Sequence, residues 1–293
     1  MNVSVAVIGP GAIGSAVAAH LHTAGHQVSV YGRTPRDSIE VRPDGSAPVI
    51  VPGPVRTDPD AVSGAVDVVF LAVKDTQNAE AAKWLARLCD ANTVVCALQN
   101  GVEQVERVGR YCPAGTVVPA AIWVSAETTP QGWVRLRNPL RLVLPDNAAA
   151  ATIAALFPDG TVELDSEFVN ATWHKLLVNA AVGLMVLSGR RSGMFRRDDV
   201  AALTREYLAE CLAVARAEGA TLSDAVINDV VDMLAKSPPD VTTSMLTDRQ
   251  ADRPLEWDIR NGVIRRKAAI HGLATPISNL LVPLLAAASD GPG

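Results

Sequence analysis

The chain has no surplus of basic residues: 26 Lys and Arg face 31 Asp and Glu, leaving a net charge of -5. That balance gives no positive field for nucleic acid or an anionic membrane, so the expected partner is a small molecule. Cysteine is scarce, and Cys89, Cys96, Cys112 and Cys211 form no CxxC pair and stand near no histidine cluster. This excludes a zinc motif or a disulfide framework, so no metal is expected and the thiols suit a reducing compartment. Long apolar runs are missing too. The longest, Leu176 to Ser188, is about 13 residues and contains Asn179, against the roughly 20 that span a bilayer. The start, Val3-Ser4-Val5-Ala6-Val7-Ile8, has neither the basic region nor the cleavage site of a secretory signal, so a cytoplasmic protein is expected.

What is present is enough for two well-filled cores: 293 residues, 48% hydrophobic and only 19% charged. Over the first part, β-branched runs alternate with helical patterns at Val3 to Ile8, Gln27 to Tyr31, Asp67 to Val73, Thr93 to Leu98 and Thr116 to Ala121. Such alternation predicts parallel strands joined by helical crossovers. Residues 34–59, rich in Pro, Gly and Asp, read as irregular or short-stranded structure on the edge of that sheet. The period-two stretches Gly132 to Leu136 and Leu140 to Leu144, separated by Arg137-Asn138-Pro139, predict a hairpin extending it.

From about residue 168 the pattern becomes helical, over roughly 169–189, 198–218, 222–236, 242–251, 255–271 and 276–288, with a frayed tail at 289–293. The expected fold is therefore α/β, with a Rossmann-type dinucleotide-binding domain at 1–167 and a mostly α-helical substrate and catalytic domain at 168–293. No Ser/Gly-rich linker separates them, which predicts domains packed around a ligand-binding cleft.

Gly9-Pro10-Gly11-Ala12-Ile13-Gly14 is a GxGxxG immediately after the first strand, opening an Ala-rich helix. Bare backbone N–H groups at a helix N-terminus hold a pyrophosphate, and this strand-turn-helix context is what makes the six-residue pattern informative. About 20 residues further on, NAD-selective sites place an acid on the ribose hydroxyls. Here the stretch is Tyr31-Gly32-Arg33-Thr34. Arg33 can pair with a 2′-phosphate, which favours NADP(H), although a single arginine there is also compatible with a solvated surface residue. Lys74 follows the strand Val68 to Val73, with Gln77 one turn later, and Asn100 follows the strand ending at Leu98. C-terminal strand ends face the ligand in parallel sheets, so all three are candidate contacts.

On the apolar segment Trp173 to Gly183, Lys175 and Asn179 stand four apart and share one face. An amine on such a helix must snorkel to water or face a polar cleft with a partner. Glu256, by itself a first-turn helix glutamate, and Ser244, by itself a capping hydroxyl, are candidates to join it.

In order along the chain, the glycine motif at Gly9, Ala72-Val73-Lys74, Gln99-Asn100-Gly101-Val102, Lys175 with Asn179, Thr243-Ser244-Met245-Leu246 with Asp248, and Glu256 with Asn261-Gly262 resemble the ketopantoate reductase family over nearly the whole length. The resemblance implies NADPH-dependent reduction of a 2-oxo acid, with Lys175 as general acid and Glu256 orienting it and touching substrate or cofactor. It also implies Ser244 on the substrate carboxylate, further hydrogen bonds from Asn100 and Asn179, and a cofactor contact at Ala126. Two positions depart from the family pattern: Gly183 and Val241 stand where asparagine is common. Three readings therefore stay open: a ketopantoate reductase of pantothenate biosynthesis, a reductase of a more apolar ketone or 2-oxo acid on the same scaffold, and a non-catalytic NADPH-binding sensor. The apolar C-terminal helices are compatible with a homodimer.

Overall fold

Val5-Ala6-Val7-Ile8 carries no polar side chain, and all four residues are buried as β1 (Val5–Ile8) in the first of two units of a computed structural model that describes residues 3–291. The units meet in sequence at Phe168 and Val169. After β1 come α1 (Ala12–Thr23), β2 (Val28–Tyr31), β3 (Ser38–Pro43), β4 (Val49–Pro52), β5 (Val68–Leu71), α2 (Asn78–Leu88), β6 (Val94–Ala97), α3 (Gln104–Gly109) and β7 (Thr116–Pro119). The unit continues with β8 (Ala121–Trp123), β9 (Ala126–Thr128), β10 (Val134–Leu136), β11 (Arg141–Pro145), α4 (Ala148–Ala154) and β12 (Val162–Asp165).

Five strands pair in the order β2-β1-β5-β6-β7, all parallel. Period-two geometry divides their side chains between two cores. Val5, Val7, Val68 and Phe70 face α1 and α4, whereas Ala6, Ile8, Val69 and Leu71 pack with Trp84, Leu85 and Val108 of α2 and α3. Helices on both faces of a parallel sheet make this the expected Rossmann-type layer.

Two expectations about the sheet are corrected. Residues 34–59 edge it only through Arg56, which bridges Tyr31 of β2 in parallel; β3 and β4 pair antiparallel and belong to a separate four-stranded sheet, β4-β3-β10-β9. The predicted hairpin is absent as well, because β10 pairs with β3 and β9 while β11 pairs with β8 and β12 in a third sheet. The connection Arg137-Asn138-Pro139 explains the switch. Arg137 N–H bonds Ser125 O at 2.8 Å, and Asn138 Oδ1 accepts from Ser125 N–H at 2.6 Å. Pro139 has no N–H to donate to a ladder. The chain is thereby tied to residue 125 and redirected, a tertiary bond that period-two patterning does not encode.

The second unit holds α5 (Phe168–Ala181), α6 (Gly183–Ser188), α7 (Asp198–Ala217), α8 (Ala225–Lys236), α9 (Ser244–Gln250), α10 (Val263–His271) and α11 (Pro276–Ser289). Helix α7 buries Tyr207, Leu208, Cys211 and Leu212 against its neighbours. Its Glu210 carboxylate accepts from the N–H groups of Ile277 and Ser278 at 2.8 and 2.9 Å, satisfying the open end of α11. Ser289 is not frayed: it ends α11, and its Oγ accepts from Leu255 N–H at 2.9 Å. Residues 292–293 of the expected tail lie outside the described residues. Together α5 and α6 make a 21-residue apolar helical stretch, longer than the apolar run alone. Of its most apolar window 61% is buried inside the protein, as in a core helix.

Candidate active site

At the end of β1 the chain turns at Gly9, whose φ of +90° lies in the region that favours glycine. Gly9 N–H bonds Tyr31 O at 2.9 Å, tying the turn to β2. A Cβ on Gly14 would sit 2.2 Å from Gly9 O, so the first turn of α1 closes on the loop only because residue 14 is bare. Gly11 differs, since a Cβ there meets nothing within 4 Å. The loop thus packs tightly through its first and third glycines and leaves its middle one open, as close approach of a pyrophosphate requires. Pro10 lies against the tip of β2, 2.7 Å from a would-be Gly32 Cβ, while Ala12 and Ile13 rest on the apolar cluster below. Ala126 begins β9 in the second sheet and packs on the same cluster.

Beyond β2, Arg33 is 72% exposed and pairs with Glu80 at 3.2 Å. Two arginines that the sequence reading left out stand beside this strand end. Arg36 Nη1 bonds Pro10 O at 3.4 Å, and the Arg56 guanidinium lies 5.8 Å from the centroid of the Tyr31 ring. Arg36 was visible as a second basic residue in the same acid-free stretch. Arg56 was not, because only its backbone pairing with Val30 brings it there.

Lys74 opens a short turn after β5, its N–H bonded to Gln77 Oε1 at 3.3 Å, which holds the Gln77 side chain against the strand end. Asn100 follows β6 and is half-buried. Its neighbour Gln99 is buried, donates to Asn78 Oδ1 at 2.6 Å and to Val73 O at 3.1 Å, and so locks the ends of β5 and β6 together. Of the Gln99-Asn100 pair, the first residue is structural, and the second sits where a fixed strand end presents it.

In the helical unit, Lys175 and Asn179 are both half-buried one turn apart on α5. Burial first, and then the positive charge of Arg260, push the Lys175 pKa down to about 7 against the opposing Glu256 carboxylate. Glu256 and Arg260 are 7% and 5% exposed at their side chains and pair at 3.2 Å. Arg260 Nη2 also donates to Ser244 Oγ at 3.0 Å. The structure therefore gathers Lys175, Glu256 and Ser244, each predicted, around Arg260, which was not. Its signal was present as the i, i+4 spacing from Glu256, which puts both residues on one helix face.

Residues Asp258–Gly262 form a π-helical turn in which Ile259, Arg260, Asn261 and Gly262 are all buried. Such turns are rare and frequently mark functional positions. Asn261 Nδ2 donates to Ala180 O at 3.1 Å and Tyr207 Oη at 3.0 Å. A Cβ on Gly183 would stand 2.7 Å from that same nitrogen. Gly183 is thus the space that the Asn261 amide occupies, while Val241 is 43% exposed.

Sequence models of the family "Ketopantoate reductase PanE/ApbA" and of its C-terminal domain match residues 5–149 and 167–289. A 2-dehydropantoate 2-reductase of Mycobacterium tuberculosis is 62% identical over 295 residues, covering 100% of both chains. One from Caulobacter vibrioides is 36% identical, covering 98% of this chain and 99% of that protein. A dimeric ketopantoate reductase from Staphylococcus aureus superposes with a TM-score of 0.88 at 26% identity, over 98% of each chain.

Proposed function

The chain belongs to the ketopantoate reductase family, and we propose that it reduces 2-dehydropantoate to pantoate with NADPH, Lys175 protonating the carbonyl oxygen. The observation that carries this reading is a lysine held at a pKa of about 7 beside a buried carboxylate and a buried guanidinium. An ammonium near its titration point at working pH gives up its proton readily, and it stabilises the alkoxide that forms as the carbonyl is reduced.

Bound NADPH supplies the hydride that goes to the ketone carbon. The open loop Gly9, Pro10, Gly11, Ala12, Ile13 and Gly14 fits its pyrophosphate, and Arg33, with Arg36 and Arg56 nearby, fits a 2′-phosphate. Lys74, Gln77, Asn100, Ala126 and Glu256 are the further cofactor contacts in this reading. Ser244, Asn179 and Asn100 bind the substrate, and Glu256 holds Lys175 in place. Residues 1–167 would then serve the cofactor and 168–293 the substrate and the proton. Gly183 gives no support to a more apolar substrate, since the Asn261 amide fills the space beside it. A sensor would not need the charged cluster around Arg260. We further assign a cytoplasmic homodimer, supported by the dimeric S. aureus relative and by exposed Ile270, Leu280 and Leu284 on α10 and α11.

The test is NADPH oxidation followed with ketopantoate and a panel of bulkier 2-oxo acids, beside Lys175→Ala and with NADH as cofactor control. Efficient ketopantoate turnover that needs Lys175 and prefers NADPH is expected. Turnover of another carbonyl alone, or NADPH binding without turnover, would move the assignment to one of the other two readings. Light scattering of the purified protein tests the dimer.

A further inference from the structure

We propose that Arg260 is the cationic partner of the substrate carboxylate and so selects 2-oxo acids over ketones that lack the acid group. The proposal rests on the reading of this site as one for a 2-oxo acid, and four observations carry it.

The first is burial: Arg260 is 4% exposed. Arginine is not kept in such a place without partners, because desolvating its charge costs several kcal/mol. The second is incomplete pairing. Nη2 serves both Ser244 Oγ at 3.0 Å and Glu256 Oε2 at 3.2 Å, yet Nε is buried with no hydrogen-bond partner among the described residues. A buried donor left open calls for a ligand, and a guanidinium edge offers parallel N–H groups that match a carboxylate.

The third is the charge count. Lys175 and Arg260 act on one another and share Glu256 as the carboxylate that opposes them. A 2-oxo acid brings a negative charge to a place where two cations act on one another. The fourth is access. Ser244 is exposed, and its hydroxyl is in direct contact with the buried guanidinium, so an anion bound at Ser244 is placed beside Arg260.

This also accounts for the two amides missing at Gly183 and Val241, since one charge-assisted bidentate contact is stronger than two neutral hydrogen bonds. It adds a timing element. Without substrate, Arg260 repels a proton from Lys175; a carboxylate on Arg260 removes that repulsion, so the lysine holds its proton more tightly when there is a carbonyl to receive it.

The experiment compares wild type, Arg260→Leu and Arg260→Lys on ketopantoate and on its methyl ester, with NADPH affinity from fluorescence titration as the measure of an intact fold. Arg260→Leu should lose on the order of 10- to 100-fold in kcat/KM for the acid. The loss should be several-fold smaller for the ester, which carries no carboxylate for Arg260 to pair with, and for both substrates the pH above which kcat/KM falls should move upward. Arg260→Lys should recover part of the loss. Equal losses on acid and ester, or no loss on either, would overturn the proposal. In parallel, calorimetry follows oxamate, an unreactive 2-oxo acid mimic, binding to the NADP-loaded protein. Wild type should bind it and Arg260→Leu should not; absent binding to wild type, or unchanged binding to the variant, also overturns the proposal. If wild type reduces no ketopantoate, the assigned activity fails while the oxamate result still decides Arg260. Should Arg260→Leu not bind NADPH, Arg260→Gln replaces it in every arm.

Discussion

The two units build their sites from different materials. In the first, the glycine loop works through backbone: two glycines are bare because neighbours press on them, at 2.7 Å for Gly9 and 2.2 Å for Gly14, and one is bare with nothing near it. In the second, charged side chains are buried together, and each acts on the charge of the others. A backbone site depends on which residue lacks a Cβ and tolerates change elsewhere. A buried charge cluster is poised electrically, so each member alters the others.

The largest test of this contrast is Lys175→Ala, which should lower kcat by about 10² to 10⁴ while NADPH binding, measured by fluorescence, stays within a factor of two or so. The wild-type pH profile belongs with it. The free-enzyme pKa of Lys175 is lowered to about 7, so kcat/KM should be sustained below that pH and fall as pH rises through it, where the ammonium is lost. A profile flat to pH 9 would remove Lys175 from the role of general acid.

Next come the glycines. Gly14→Ala should destabilise the fold by about 1–3 kcal/mol, seen as a lower Tm, because its Cβ has no room beside Gly9 O. Gly11→Ala should leave Tm nearly unchanged yet weaken NADPH binding by about tenfold or more, one obstructed charge-assisted contact. If both variants lost stability alike, the loop would be a packing turn and the contrast between the units would weaken.

Gly183→Asn should cost about 1–3 kcal/mol by crowding the Asn261 amide, without improving KM for ketopantoate. A better KM would show that the missing asparagine still matters. The smallest effect expected is that of Arg33→Ala. It should raise KM for NADPH by about tenfold at most and leave NADH unaffected, because Arg33 is exposed and Arg36 and Arg56 remain.

Much of this was readable in advance where the signal is local. The five parallel strands and the long helices follow from periodicity, and the glycine loop from spacing within six residues. The edge placed at 34–59 holds only at Arg56, and the hairpin at 132–144 is absent because period two identifies a strand without naming its partner. Asn138 and Pro139 settle the partner by redirecting the chain to Ser125. In the site, Lys175, Ser244 and Glu256 were found by resemblance, whereas Arg260 was passed over because one more arginine in a helix ordinarily lies at the surface.

The sequence by itself determined the kinds of elements and the position of the glycine loop, since each is written in neighbours a few positions apart. Only the tertiary structure decided which strands share a sheet, that Asn261 fills the space beside Gly183, and that Arg260 is buried against Glu256 and Ser244. Those outcomes depend on groups distant in the chain being brought within a few ångströms, where loss of water makes an ordinary charge a strongly interacting one.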